Sequence, residues 1–500
     1  MSLDFDAFTR GLGFSHYPFS VFTAEEEKEF LGDAFVRPLA YSPAVLAARS
    51  RKNIFLYGER GTGKTALLFE LVKACNSNST LVEITDFSAV PVSPSQSDIC
   101  SLYISTLAST IFKRMLPTMS DFRRPYKLTR QDKTLLSYLL RHHTSTLSRN
   151  ALMEDLRHIQ HHPVKRTGVA LFNLFRGLIN SAAGAAVDVL SDTISKSLGL
   201  PPPAAGGAKE YLQAIELKID GALDESNANL VILTQTVALC KKLGMKNLTF
   251  VIDRIDEDSR LRNDSELIAT FLRPFLTENY IFYNPDLHFL FSIWSVPFQK
   301  VKSDFRANKF CVEQVRWEPR ELLNVLDKRI EHHSAGRVTS HKPTIEDASF
   351  FHEKVLPLAN ANPRDLWQLM NRIIREQFAI DNTSLIISTR AMESGVRRFV
   401  SEFTYYEYYP RRKDARANSS DVYSYIAHLN KLDSVQFTTN SLNAVAGTGS
   451  STQNYIVGME GMGLIRRCEE KGPNGSTLYE IRDPKVRFAV ENSIEIRRDA

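Results

Sequence analysis

Apolar residues come in short, near-continuous runs, and between those runs they recur at helical spacing. Ile54-Phe55-Leu56-Tyr57, Thr80-Leu81-Val82-Glu83-Ile84, Asn247-Leu248-Thr249-Phe250-Val251-Ile252 and Leu287-His288-Phe289-Leu290-Phe291-Ser292-Ile293-Trp294 read as strands. Phe310-Cys311-Val312-Glu313-Gln314-Val315 marks a further one. Strands that are apolar at nearly every position suit a sheet covered on both faces. Ala66-Leu67-Leu68-Phe69-Glu70-Leu71-Val72 and the span 263–277 read as helices between them. The pattern predicts an α/β core built on a parallel sheet.

The remaining chain divides around that core. Residues 1–50 read as an entry arm, with a short helix over Ala24–Leu31 whose acidic first turn suits a helix N-terminus. The core spans 51–318 and is interrupted over 113–228 by a helical, more basic insertion, because its second strand set begins only after that block. Pro201-Pro202-Pro203 and Ala204-Ala205-Gly206-Gly207 break the insertion at an exposed joint. Its histidines at 142, 143, 158, 161 and 162 lack cysteine-backed metal spacing, so no zinc site is expected there. The apolar stretch 168–198 is crossed by Arg176, Asn180, Asp188 and Asp192. It reads first as a buried or partner-facing helix pair, second as a membrane-surface segment and last as a span, and no integral membrane span is expected.

Residues 319–403 form a helical lid, in which Asn362 caps a helix that opens with Pro363. The polar, aromatic and basic segment 404–420 reads as a linker into a last domain at 421–491. That domain has three helices and a hairpin turning at Gly472-Pro473-Asn474-Gly475, the layout of a winged helix-turn-helix.

Candidate chemistry starts at Gly58-Glu59-Arg60-Gly61-Thr62-Gly63-Lys64-Thr65, which follows the first strand and leads through Ala66 into a helix. Strand, glycine loop and helix together make a phosphate cradle. Backbone N–H groups turn inward, and the helix N-terminus adds its unpaired donors. Lys64 then reaches the β- and γ-phosphates, and the Thr65 hydroxyl holds Mg²⁺. Asp253 ends an apolar strand and is the second metal-side oxygen. Water activation needs a further carboxylate. Arg254 occupies the position directly after Asp253, which leaves Asp256 and Glu257, with Glu257 preferred. Ser295 is the candidate γ-phosphate sensor, with Ser292 the alternative. Arg364, in the first turn of a lid helix, is a candidate phosphate clamp. Arg306 is a candidate finger acting on a neighbouring subunit, in competition with Arg254 and Arg273.

Composition changes this picture little. Five hundred residues predict two to four domains. A net charge of +5 permits nucleic-acid contact without arguing for it. Five scattered cysteines without a CxxC pair, and the absence of a signal layout in MSLDFDAF, lead us to expect a reducing, cytoplasmic setting. In the last domain Ser450, Ser451, Thr452, Gln453 and Asn454 form a polar helix face, with Arg466, Arg467 and Lys471 beside it. Double-stranded DNA is therefore one candidate partner through 421–491, and protein docking is the other.

GERGTGKT, VIDRIDED, WEPRELLNVLDKRI, NPRDLWQLMNRI and YEIRDPKVRFAV together resemble AAA+/STAND-type P-loop ATPases. The resemblance is to the branch shared by archaeal-type ATPases, origin-recognition-like proteins and bacterial P-loop ATPases with an IDRLDE-like second motif. It covers roughly 15–110, 229–380 and 419–490, and the opening FSHYPFSVFTAEEEKEFL takes part in it. It implies an ASCE/AAA+-like P-loop NTPase core with helical lid and C-terminal winged helix, ATP and Mg²⁺ as cofactors, and hydrolysis by a homo-oligomer that controls an effector protein or a nucleic-acid transaction. By motif it gives Lys64 and Thr65 the Walker A roles, Asp253 the Mg²⁺ role, Asp256 or Glu257 water activation, and Ser295 and Arg364 the sensor positions. Bacterial relatives are associated with anti-phage defence. The insertion at 113–228 has no counterpart in the resemblance.

Overall fold

A computed structural model of the protein describes residues 4–75, 79–119, 127–143, 225–277, 279–411 and 421–498. Its centre is a five-stranded parallel sheet: β1 (Ile54–Gly58), β2 (Thr80–Ile84), β3 (Leu248–Ile252), β4 (Leu287–Trp294) and β5 (Cys311–Gln314), in the spatial order β2-β3-β4-β1-β5. β4 therefore lies between β1 and β3. Phe291 of β4 is level with Phe55 on one side and Ile252 on the other. Asp253, one residue on, extends the ladder by donating its N–H to the Ile84 carbonyl at 3.2 Å.

Alternation of side chains along each strand divides the sheet into two faces. Phe55, Val82, Ile84, Phe250, Ile252, Phe289, Phe291 and Ile293 are buried in one core with the helices Gln96–Met119, Arg130–His142, Glu225–Lys242 and Ser265–Thr277. Ile54, Leu56, Val251 and Leu290 are buried in another, with Ala44 and Ala48 of the helix Tyr41–Arg49 and Leu67, Leu68 and Leu71 of Lys64–Ala74. The near-continuous apolar runs follow from that double covering. Phe55 stacks on Phe291 at 4.9 Å and Phe250 on Phe289 at 5.1 Å, so aromatic pairs lock strand to strand.

A third core joins three regions of sequence. Phe8, Leu12, Phe14 and Phe19 of the arm pack with Leu326, Ile330, Leu366, Leu369 and Ile373 of the lid, and with Ile426, Leu464 and Val486 near the C-terminus. The C-terminal unit has the helices Val422–Leu429, Thr439–Ala446, Thr452–Gly461 and Pro484–Glu491, and an antiparallel sheet β6-β8-β7 of Gln436–Thr438, Thr477–Ile481 and Ile465–Lys471. The expected hairpin is there, with β6 added beside it.

Residues 24–30 form turns, and the helix starts only at Leu31–Ala34, because Glu25 and Glu27 are drawn aside by Arg254 and Arg329. In the described first part of the proposed insertion, Leu135, Leu136 and Leu139 are buried with the sheet-covering helices. The segment 404–420, expected as a linker, is buried at its start through Tyr405, Tyr408 and Tyr409. Of the histidine patch only His142 and His143 are described, and His143 is buried with its ring 3.2 Å from Ser105 Oγ. His158, His161 and His162, the stretch 168–198 and the Pro-rich joint lie outside the described residues. Among the described residues no helix is long and apolar enough to cross a membrane.

Burial pushes His143, His288 and His333 down to about 4. An unfolded histidine takes up its proton near 6.5. Between those values the unfolded chain binds more protons than the native one, so stability falls as pH drops from about 6.5 to about 4. His288→Gln is expected to make the fall of the urea midpoint between pH 7 and pH 5 shallower. An unchanged slope contradicts the assignment.

Candidate functional site

The glycine loop closes over the C-terminal edge of the sheet. Gly61 and Gly63 take φ of 81° and 87°, in the left-handed region that side chains disfavour. Gly61 is also pressed by the lid, since a Cβ there would lie 2.5 Å from Asn362 Oδ1. Gly63 precedes the helix Lys64–Ala74 and gives its Cα the turn into the first helical residue. Lys64 Nζ donates to the Gly58 and Glu59 carbonyls at 3.1 and 2.8 Å. Burial holds its ammonium below the ordinary lysine range, opposed by Asp256, Asp253 and Glu59.

Thr65 and Asp253, 188 positions apart, meet directly: the Thr65 hydroxyl donates to Asp253 Oδ2 at 2.7 Å. The other oxygen, Oδ1, accepts the Arg254 N–H at 2.9 Å. Two oxygens beside the glycine loop fit Mg²⁺, which keeps several waters and takes few protein ligands. No group of three or more His, Cys, Asp or Glu able to hold a metal occurs among the described residues. The Thr65 hydroxyl and Asp253 carboxylate are the kind of oxygen donors a hard cation takes.

A cavity of about 370 Å³ runs from Lys64, Thr65, Asp253 and Ser292 to an apolar end formed by Phe22, Phe35, Val36, Pro38, Val325 and Trp367. The arm is fastened over it by two ion pairs. Glu25 holds Arg254, and the buried Arg329 holds Glu27 at 2.5 Å while donating to the Pro18 and Val21 carbonyls. Arg329 also lies 4.6 Å over Trp367. Removing one partner of such a buried pair costs about 3–5 kcal/mol. The motif reading missed this wall; an arginine on the apolar face of the lid helix was its one trace in the sequence.

The two candidate bases differ in their freedom. Asp256 accepts Arg60 Nε at 2.7 Å through Oδ2, and its carbonyl accepts Arg60 NH2 at 3.1 Å. Arg60 is itself stacked 4.1 Å over Trp294. Glu257 is 61% exposed, 3.8 Å from Arg254, and lines the 370 Å³ cavity and a neighbouring one of about 760 Å³. Partial burial and then Asp256 raise its carboxyl above the ordinary range.

The serine and arginine candidates separate in the same way. Ser295 turns from the cavity and donates to Glu59 Oε1 at 2.5 Å, while Trp294 donates to Glu59 Oε2 at 3.1 Å. Ser292, the alternative, lines the cavity. Ser295 thus supports the loop through Glu59. Arg364 lines both cavities and, among the described residues, its guanidinium makes a long 3.5 Å pair with Glu407. Arg306 is exposed and lines neither cavity. Arg273 is paired with Asp304 at 2.9 Å, and Arg254 is taken by Glu25. Thr62 is buried, with its hydroxyl donating to the Glu59 carbonyl at 2.8 Å, and Ala66 lines the cavity behind Thr65.

On the C-terminal unit the basic residues are largely neutralised. Arg466 pairs with Glu480 at 2.7 Å and Arg467 with Glu460 at 2.9 Å.

No protein-family model matches the chain, and no curated protein matches it. Among solved structures, that of the Aeropyrum pernix ORC2 protein in ADPNP–ADP complexes is similar at 11% identity, covering 97% of this chain and 97% of that one, with a TM-score of 0.29. A likeness at that score carries no argument, and the functional reading stands on strand order and site geometry.

If Asp253 and Thr65 share a metal, Asp253→Asn leaves metal-free nucleotide binding intact and removes the strengthening that Mg²⁺ brings, about tenfold or more. Titration of a fluorescent ATP analogue with and without Mg²⁺ measures this. A full Mg²⁺ effect in Asp253→Asn contradicts the pairing.

Proposed function

We propose that this chain is a Mg²⁺-dependent ATP-binding and ATP-hydrolysing switch of the AAA+/STAND-like P-loop type, from the origin-recognition-like branch, with its C-terminal unit a winged helix. The observation that carries the reading is the Thr65–Asp253 contact across β4, within reach of a loop that Lys64 braces. Backbone N–H groups of 60–66 cradle the triphosphate, and Lys64 neutralises its β- and γ-oxygens. The apolar end between Phe22, Val36, Pro38 and Trp367 takes the base. Bound Mg²⁺ supplies charge neutralisation on the phosphate oxygens.

Glu257 is assigned as the residue that orients and deprotonates water, because Asp256 is committed to Arg60. Ser292 faces the γ-phosphate position, and Arg364 clamps it from the lid. The 760 Å³ cavity beside Glu257 and Arg364 is where a neighbouring copy completes the site, with Arg306 offered in trans. The assembled state then controls an effector protein or a nucleic-acid transaction, for which anti-phage defence is one setting. Double-stranded DNA draws less support as the ligand of 421–491, since Arg466 and Arg467 are each closed on a glutamate.

One observation favours a second reading, a nucleotide-gated scaffold with negligible turnover. Arg254 stands directly after Asp253 and is tied to the arm by Glu25, so no carboxylate follows the metal residue immediately. Steady-state ATP turnover separates the two. A base must be ionised, so turnover rises with pH through the Glu257 pKa, and its acid limb lies above the ordinary glutamate value. Glu257→Gln is expected to lower kcat about a hundredfold and remove that limb, whereas Asp256→Asn keeps it. Unchanged low turnover in Glu257→Gln selects the scaffold.

A further inference from the structure

A buried polar chain joins the glycine loop to the C-terminal unit. The Asn362 side-chain amide donates one N–H to the Arg60 carbonyl at 2.6 Å and the other to Tyr408 Oη at 2.7 Å. Tyr408 donates its own proton to Asp365 Oδ2 at 2.9 Å. Lys485, from the helix Pro484–Glu491, places its ammonium 2.7 Å from that same oxygen. Three of the links are hydrogen bonds from a donor to an acceptor, and the fourth is the close ion pair of Lys485 with Asp365. Asn362 is 1% exposed, Asp365 3%, Tyr408 8% and Lys485 0%. Water therefore does not compete for these bonds, and each group depends on the next.

The surroundings allow few other arrangements. Lys485 Nζ lies 4.2 Å over the Phe403 ring and 4.7 Å over Tyr408, so its charge is walled by aromatic faces with Asp365 as its counter-ion. Asp483 fixes the start of that helix by accepting the Lys485 and Val486 N–H groups and the Tyr409 hydroxyl at 2.8 Å. At the other end, Asn362 Oδ1 accepts the Arg364 N–H at 3.0 Å. One asparagine thus sets both the carbonyl of loop residue 60 and the backbone of the phosphate-clamping arginine. Gly61 has no room for the lid to shift inward against it.

We infer that Lys485, Asp365 and Tyr408 are positioning residues for the glycine loop, so that seating of the C-terminal unit on the lid sets the affinity of the loop for its nucleotide. The inference rests on the nucleotide reading above and adds its regulator. Seating of Lys485 orients Asp365 and Tyr408, and these hold the Asn362 amide against Arg60. Coupling between two sites is reciprocal, so nucleotide in the loop also holds the C-terminal unit in place. A partner that pulls on residues 421–498 then acts on nucleotide release.

The test uses the full chain and a fluorescent, slowly hydrolysed ATP analogue with Mg²⁺. Tyr408→Phe keeps the ring and loses the hydroxyl, and Lys485→Met keeps the stem and loses the charge. Each is expected to weaken binding about tenfold. Because both act through one chain, the double variant is expected to bind no more weakly than the worse single one. Ile373→Val loosens the same core without touching the chain and is expected to leave affinity unchanged. Hydrogen exchange at the Lys485 and Val486 amides is expected to slow when the analogue binds. If Lys485→Met does not fold, Tyr408→Phe and the exchange measurement carry the test. Binding within twofold of wild type in Tyr408→Phe, when Lys64→Ala has lost it, overturns the inference and spares the nucleotide reading. Equal weakening in Ile373→Val overturns it as well. Retained binding in Lys64→Ala overturns the nucleotide reading and this inference with it.

Discussion

The hydrogen bond from Thr65 to Asp253 ties the helix that follows β1 to the end of β3, two strands that are not neighbours in the sheet. It forms only if β4 holds β1 and β3 in register, with Phe291 level with Phe55 and with Ile252. That register in turn depends on aromatic stacks through the sheet and on helices covering both of its faces. A slip of one residue in either strand would turn Asp253 to the other face and separate the two oxygens. Packing far from the loop is therefore what brings a hydroxyl and a carboxylate together at the mouth of the sheet.

Around that contact the molecule spends charged groups on alignment. Arg60 fixes Asp256, Arg329 fixes the arm, Arg254 fixes Glu25, and Lys485 fixes Asp365. Arg254–Glu25 is partly exposed, and the buried pairs contribute little net stability because desolvation offsets most of their attraction. Their role here is geometric. Each one joins segments distant in sequence whose relative placement shapes the cavity. The groups left with weaker partners are Glu257 and Arg364, and both line the cavity walls.

How much of this was legible in the sequence depended on range. Gly58 to Thr65 could be read because strand, turn and helix are contiguous there, and Asn362 with Pro363 because a cap is local chemistry. The β3 run ending in Asp253 showed as apolar residues closed by a carboxylate. What failed to show was direction and distant partnership. Ser292 and Ser295 are three residues apart, but one lies on β4 and the other begins the next helix, so a strand-end rule could not say which faces the cavity. The acidic run at 24–29 has the composition of a helix start, and two arginines more than two hundred residues away hold it in turns. Tyr405 to Tyr409 have the composition of a linker, and the Tyr406, Tyr408 and Tyr409 hydroxyls find acceptors only once the lid and C-terminal unit have packed.

The central claim is that the Thr65–Asp253 junction and the loop above it hold a metal-bound triphosphate. The most direct measurement is an experimental structure of the full chain with Mg²⁺ and a slowly hydrolysed ATP analogue. The account predicts the triphosphate wrapped by the backbone of residues 60–66, the metal against Thr65 and Asp253, and the base between Phe22 and Trp367. Nucleotide bound at any other surface, or a triphosphate that leaves Lys64 and Asp253 untouched, would contradict it.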